Sequence, residues 1–390
     1  MTDRAYFDWN ATAVLRLEAR EATMAALALG GNASSVHAEG RKARQVIEAA
    51  RQNVAALVGA EAKNVTFTSG ATEANMLALT PSLEVGGRKA LRDKLFLSAI
   101  EHPSVRSGGR FAPGAIKELT VTNEGLLDLQ ALEKALFVTL QRGELPLVSI
   151  MLGNNETGVI QPISEIAAIV HNANGILHVD AVQGAGRIDC DMATLGADLL
   201  SVSAHKLGGP QGIGALIRRG DIHIGEPLIR GGGQERSLRA GTENVAAIAG
   251  FGAACAAANA TRQADAIRMA ALRDRLEAGI KAITPQAVVF GAHAPRLPNT
   301  SLIAVPDIKA ETAIIAFDLN GIALSSGSAC SSGRVQASHV LAAMGVEPEL
   351  ARGALRISLG WTTTEADVET LLNAWKNVIS SLLKSHANAA

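Results

Sequence analysis

Lys206, in the stretch SVSAHKLGGPQGIGAL, follows an apolar run and precedes a glycine turn. A lysine at such a strand end, partly desolvated and close to other polar groups, has a lowered pKa and can form a Schiff base. Asp180, in HVDAVQ, ends a second apolar run and is followed shortly by Gln183. A pyridinium nitrogen needs such an anion, because the paired charge keeps the ring protonated and electron-withdrawing. In TSGATEANM, small residues lead into a helix whose first turn carries Thr72 and Glu73. Free backbone N–H groups and a hydroxyl at that position suit a phosphate. The chain has no G-x-x-x-x-G-K-[ST] loop, which argues against a nucleoside triphosphate. Taken singly, each piece is equally a surface lysine, a turn aspartate or an ordinary helix cap. Lysine and aspartate on two strand ends of one alternating pattern are harder to dismiss.

Further candidates stand at the ends of other apolar runs. His102, in EHPSV, can stack on a flat heteroaromatic ring and titrates near neutral pH. GNNETG places Asn154, Asn155 and Glu156 after another run, where an amide can hydrogen-bond a ring substituent. RGGGQERSLRAGTENV is a glycine-rich loop that enters a helix at Thr242, a second possible phosphate contact. Arg356, in ALRISLG, sits among apolar neighbours, and its fork suits a carboxylate. Cys330 lies in SSGSACSSG, whose small polar residues fill no core and favour no helix.

The elements that must position these residues are strand-like runs alternating with helical patterns. NVTF, KLFLSAI, LPLVSIM, ILHVD, LLSVS and GALIRR are apolar enough to be buried on both faces, which predicts a mostly parallel sheet between helices. Ligands gather outside the carboxyl ends of such strands. The run VAAIAGFGAACAAANA predicts a buried helix, since it is too short and too weakly hydrophobic to span a bilayer. From about Thr261, Met269, Leu272, Leu276 and Ile280 share one face of an amphipathic helix leading to a second domain. NTSLIAV and ALRISLG predict strands there, and TEADVETLLNAWKNVISSLLK a closing helix.

The composition narrows the function classes. The chain of 390 residues carries a formal net charge of −1 with acids and bases interspersed, unlike a nucleic-acid footprint or a polybasic membrane patch. No nucleic-acid or membrane partner is therefore expected. The opening MTDRAYFDWN has no apolar core of a signal peptide. Cys190, Cys255 and Cys330 are widely spaced and odd in number, arguing against a disulfide framework or a zinc knuckle and for a reducing cytoplasm. Cys190 and Cys255, in apolar surroundings, are expected to pack inertly.

NATA, GNASSVHAEGRKAR, TSGATEANM, EHPSV, NNETG, HVDAVQ, SVSAHKLGGPQGIGAL, GGGQERSLRAGTENV, SSGSAC and LRISLG occur in the order found in cysteine desulfurases. The chain thus resembles the pyridoxal-phosphate enzymes of aminotransferase class V over about Tyr6 to Thr364, and SSGSAC resembles their NifS-like and IscS-like branch. The resemblance implies the type I aminotransferase fold: a large α/β domain with a mostly parallel seven-stranded sheet, and a smaller α+β C-terminal domain. It places the large, cofactor-binding domain at residues 14–260 and the small domain at 1–13 and 261–390.

The same resemblance implies that Lys206 binds pyridoxal 5′-phosphate covalently, that Asp180 pairs with its ring nitrogen and that His102 stacks on the ring. Gln183 would bond the phenolic oxygen, with Asn155 near ring and substrate. Ala71, Thr72, Ser203 and His205 would hold the phosphate, joined by Thr242 from a neighbouring subunit of a homodimer. Arg356 would bind the carboxylate of L-cysteine. Cys330 would be the nucleophile that takes the sulfur as a persulfide and passes it to an iron–sulfur scaffold, possible nitrogenase assembly included, or to another acceptor protein. No resident metal is implied, with Cys330 at most a transient ligand of an iron–sulfur cluster. A small-residue loop would let one thiol reach both the cofactor and the acceptor. Selenocysteine lyase and plain class V aminotransferase are the enzyme alternatives; a carrier or scaffold without catalysis would need none of the cofactor residues. YFDWNATA departs from the family's asparagine-rich opening at Trp9 and Ala13, near the expected cofactor entrance. The short ending SHANAA, without the tail of IscS-like enzymes, is expected to favour a NifS-like role.

Overall fold

The computed structural model describes residues 4–327 and 338–387. Its centre is a seven-stranded sheet in the spatial order Val65–Thr68, Gly214–Arg218, Leu199–Ser203, Ile176–Asp180, Pro146–Met151, Lys94–Ser98 and Ile116–Leu119. The strands pair in parallel except Gly214–Arg218, which runs antiparallel to both of its neighbours. Phe96, Val148 and Val179 feed one core beneath the sheet, while Leu95, Leu97, Leu147 and Leu199 feed another above it. Burial on both faces is why these strands read as continuous apolar runs instead of alternating ones.

The two predicted helices before and after Thr261 are one. A single helix runs from Val245 to Ile283, 39 residues, capped by the Asn244 side chain, which accepts the Ala247 N–H. Its first half is buried against the helix Ala38–Leu57; a Cβ on Gly252 would come within 2.5 Å of Ala50. Small side chains at this crossing let two backbones approach closely, which accounts for the alanine-rich composition. Its second half presents Leu272, Leu276 and Ile280 to a separate core with Phe7, Ile303, Phe317, Ile357 and Trp375. The change of pattern near Thr261 therefore marks a change of packing partner along one rod, with no break in the helix.

That second core covers a four-stranded antiparallel sheet in the order Val288–Val289, Thr300–Ala304, Leu355–Ser358, Ser325–Ser326. The chain start joins it: Ala5–Tyr6 pairs in parallel with Ile322–Ala323. The closing helix, Glu365–Ala387, buries Trp375, whose indole N–H donates to Thr284. A small sheet of Ile222–Ile224, Ser82–Val85 and Arg88–Leu91 was not expected from the sequence. Cys330 lies outside the described residues.

Candidate active site

The carboxyl ends of the parallel strands open into a cavity of about 1090 Å³. Asp180 is the last residue of its strand, and Lys206 ends the tight turn after Leu199–Ser203. Both line the cavity, together with Ala71, Thr72, His102, Asn155, Gln183, Ser203, His205 and Arg356. Glu73 and Glu156 line it as well, whereas Asn154 is buried outside the lining and spends its amide on the Ile100 carbonyl and the Glu156 and Thr157 N–H groups. Thr242 is exposed and does not line this cavity, and Cys330 is not among the described residues.

The Lys206 amine donates to the backbone carbonyls of Asn10 at 2.5 Å and Ala11 at 2.7 Å. Desolvation, reinforced by the Arg356 and Arg187 cations and opposed by Asp8 and Asp180, lowers its pKa to about 7. Near neutrality a large share of such an amine carries a free lone pair, as a nucleophilic lysine requires. Asp180 is buried; its Oδ2 accepts from the Asn75 amide at 2.9 Å and its Oδ1 from the Val182 N–H at 3.1 Å. These two donors hold the carboxyl group in place at the cavity wall.

The helix Ala71–Ala78 aims its N-terminus at the cavity. Gly70 before it lies against the sheet, and a Cβ on Gly214 would sit 2.7 Å from the Gly70 carbonyl carbon. Glycine at 214 is what lets the turn settle there. Free N–H groups of the first turn, the hydroxyls of Thr72 and Ser203, and His205 make an anion cradle. Burial, with the nearby Lys206 and Arg187 charges, lowers the His205 pKa to about 4, so it acts there as a neutral hydrogen-bonding group.

Arg356 is buried. Its guanidinium donates to Asp8 Oδ1 at 2.8 Å and to the Asn155 carbonyl at 3.1 Å, and its Nε has no partner among the described residues. Gln183 spends its amide on Asn10 and Arg187: Nε2 donates to the Asn10 carbonyl at 3.1 Å and Oε1 accepts from Arg187 at 2.5 Å. Asn10 is the hub between the two cores, since its side chain also reaches the Asn155 carbonyl, Thr300 and Asn299.

Sequence reasoning missed the roles of Asp8, Asn10, Asn75, Ser104 and Glu156. All lie inside quoted motifs: Glu156 was itself named in GNNETG, Asn75 and Ser104 stand two residues from Glu73 and His102, and no named candidate stands near Asp8 or Asn10. Glu156 is buried in the cavity wall; its Oε2 accepts from Ser338 at 2.6 Å, and a Cβ on Gly327 would lie 2.9 Å from it. Burial lifts its pKa to about 7 against the opposing Ser338 bond and Arg356 charge. Trp9 stacks edge-on against Trp361 at 4.7 Å, and the Arg16 guanidinium lies 3.8 Å over Trp361. Cys190 and Cys255 are buried, and burial raises both thiols, Cys190 to about 12, so both pack inertly as expected.

This arrangement, an amine on one strand end and a carboxylate on the next beside a helix N-terminus, defines the fold type I class of pyridoxal-phosphate enzymes. The model of the aminotransferase class-V family matches residues 5–371, and the chain belongs to that family. It is 39% identical over 386 residues to a cysteine desulfurase of Cereibacter sphaeroides, covering 97% of each chain. Among solved structures it is similar to a NifS-like protein from Rickettsia africae, with a TM-score of 0.86 and 37% identity, covering 97% of this chain and 99% of that one. It is also similar to SspA in complex with cysteine, with a TM-score of 0.74 and 29% identity, covering 91% of this chain and 98% of that one. The protein is pyridoxal-phosphate dependent, and its donor set fits that group: amine, ring-nitrogen anion, imidazole and phosphate cradle share one cavity.

Among the described residues no helix is long and apolar enough to cross a membrane, and no cluster of histidine, cysteine and carboxylate side chains could hold a metal ion.

Proposed function

We infer that this protein is a cysteine desulfurase that takes L-cysteine, releases L-alanine and keeps the sulfur as a persulfide on Cys330. The observation that carries this is the joint placement of Lys206, Asp180 and Arg356 in a cavity whose wall includes Ser325, at the start of the SSGSAC motif that bears Cys330. In the net reaction the substrate Cβ–S bond breaks and an S–S bond forms on Cys330. Cβ is reduced to a methyl group while sulfur is oxidised to the persulfide level, so no outside oxidant is required.

Pyridoxal phosphate, when bound, supplies the electron sink for this chemistry. The chain's own residues do the rest. Arg356 turns its fork, including the unpartnered Nε, to the substrate carboxylate and fixes the amino acid's orientation. Lys206 Nζ, neutral for much of the time near pH 7, accepts the α-proton. Asp180 would pair with the ring nitrogen of the bound group. The thiolate of Cys330 attacks the substrate sulfur, because the thiolate is the nucleophilic form.

A homodimer with Thr242 reaching the neighbouring site fits the exposure of Thr242 and of an apolar patch of Val14, Leu15, Leu17, Met24 and Leu27. Delivery of the sulfur to an iron–sulfur scaffold or another acceptor protein, in the cytoplasm, completes the proposal. So does a division into residues 14–260 and residues 1–13 with 261–390, which the separate cores support.

The test is alanine released from L-cysteine, with a reductant present, by the wild type and by Cys330→Ala. Release by the wild type alone supports the desulfurase and its nucleophile. Release by both removes Cys330 from the reaction and favours a lyase acting on selenocysteine. Silence of both, with cofactor bound, means another substrate.

A further inference from the structure

We propose that Asn75 and Ser104 form a hydrogen-bonded relay that ties His102 to Asp180 and fixes the His102 proton on Nε2. Both are positioning residues, and the inference rests on the cavity being the pyridoxal-phosphate site. Asn75 is fully buried on the helix Ala71–Ala78, and its Nδ2 lies 2.9 Å from Asp180 Oδ2 and 2.9 Å from Ser104 Oγ. A carboxylate can only accept, so it dictates which end of the Asn75 amide faces it. The second N–H on the same nitrogen points at Ser104 Oγ, which accepts it. Ser104 Oγ is in turn 2.8 Å from His102 Nδ1, and the Ser104 backbone N–H lies 3.2 Å from that same nitrogen.

A backbone N–H is an obligatory donor, so Nδ1 must present a lone pair. The Ser104 hydroxyl then donates a second hydrogen bond to Nδ1, and the imidazole carries its proton on Nε2. Burial, reinforced by Lys206 and opposed by Asp180, lowers the His102 pKa and keeps the ring neutral. Nε2 is therefore the nitrogen of a cavity-lining His102 left free to exchange a proton within the cavity. The arrangement also has a cost. Asn75 Oδ1 is buried with no partner among the described residues. The two bonds its Nδ2 makes, to the buried Asp180 carboxylate and to Ser104, offset that desolvation.

The test uses histidine labelled with ¹⁵N in the full-length apoprotein, where the ring shifts report the tautomer without substrate or turnover. The wild type is expected to show His102 as the Nε2–H form, and Ser104→Ala to keep that tautomer through the residue-104 backbone N–H while the Nδ1 resonance moves downfield as the hydroxyl's bond is lost. Asn75→Ala is expected to melt within a few degrees of the wild type yet bind pyridoxal phosphate about tenfold more weakly, since Asp180 loses a charge-assisted donor. In the loaded enzyme both variants should lower kcat for alanine release while KM for L-cysteine moves less than twofold. An Nδ1–H wild type overturns the proposal, as does an unmoved Nδ1 resonance in Ser104→Ala together with unchanged cofactor affinity in Asn75→Ala. A wild type that binds cofactor but releases no alanine refutes the desulfurase assignment and leaves the tautomer result standing.

Discussion

Capture of pyridoxal phosphate by Lys206 should follow the titration of a buried amine. With the pKa lowered to about 7, roughly half of Lys206 is neutral at pH 7. For a lysine at its ordinary value of about 10.4 the neutral share is only about one in 2,500 at that pH. The environment thus raises the reactive fraction by about three orders of magnitude. The apoprotein is exposed briefly to pyridoxal 5′-phosphate across pH 5.5 to 9 and then reduced with borohydride, and peptide mass spectrometry measures the label on each lysine. Label on Lys206 should rise through a midpoint of about 7 and level off, whereas label on a free lysine peptide added as a reference, of ordinary pKa about 10.4, should still be climbing at pH 9. Arg356→Gln removes the strongest neighbouring cation and frees Asp8, so the Lys206 midpoint should move upward. A Lys206 curve that climbs in parallel with the reference peptide would refute the reasoning, because desolvation would then have left the amine unchanged.

Arg356→Lys should raise KM for L-cysteine by about tenfold or more, with the cofactor's absorbance unchanged, because an ammonium cannot reproduce the bidentate fork. Asp180→Ala should weaken cofactor binding and abolish alanine release, read by dialysis and by product assay, since the ring nitrogen loses its anion. Glu235→Ala should lower unfolding free energy by about 3 kcal/mol in urea. That carboxylate accepts both Arg51 Nη atoms, at 2.7 and 2.8 Å, and the Phe67 N–H, and its loss leaves the buried cation with only the half-exposed Glu48 and the Val65 carbonyl. For Glu156, folding raises the carboxyl from 4.5 to about 7, so the unfolded chain ionises first and stability falls as pH rises through that window. Glu156→Gln should remove about 3 kcal/mol of that loss, measured as the difference in urea midpoints between pH 4.5 and 7.5.

Motif order made the cofactor site legible before any coordinates. Lys206, Asp180 and His102 were identifiable because strand ends, turn glycines and helix starts are local signals, and local geometry decides what those residue types can do. The roles of Asn75 and Ser104 were not legible. Their chemistry depends on distances between a helix, a short turn and a strand end that lie far apart in the chain. The same holds for Asp8, which meets Arg356 across almost the entire sequence. Gln183 was legible as a cavity residue, but its bonds to Asn10 and Arg187 were not.

The continuous helix Val245–Ile283 shows the division most clearly. The sequence by itself determined that both halves are helical and which residues of each are apolar, because periodicity and propensity are properties of neighbouring residues. It also determined the set of chemical groups available to the cofactor. Only the tertiary structure decided that the helix is one rod shared by two cores, that Asn10 bridges them, and that Lys206 loses enough solvent to titrate near neutrality. Desolvation and the field of distant charges depend on what packs around a group, and packing is a sum over segments that no local stretch contains.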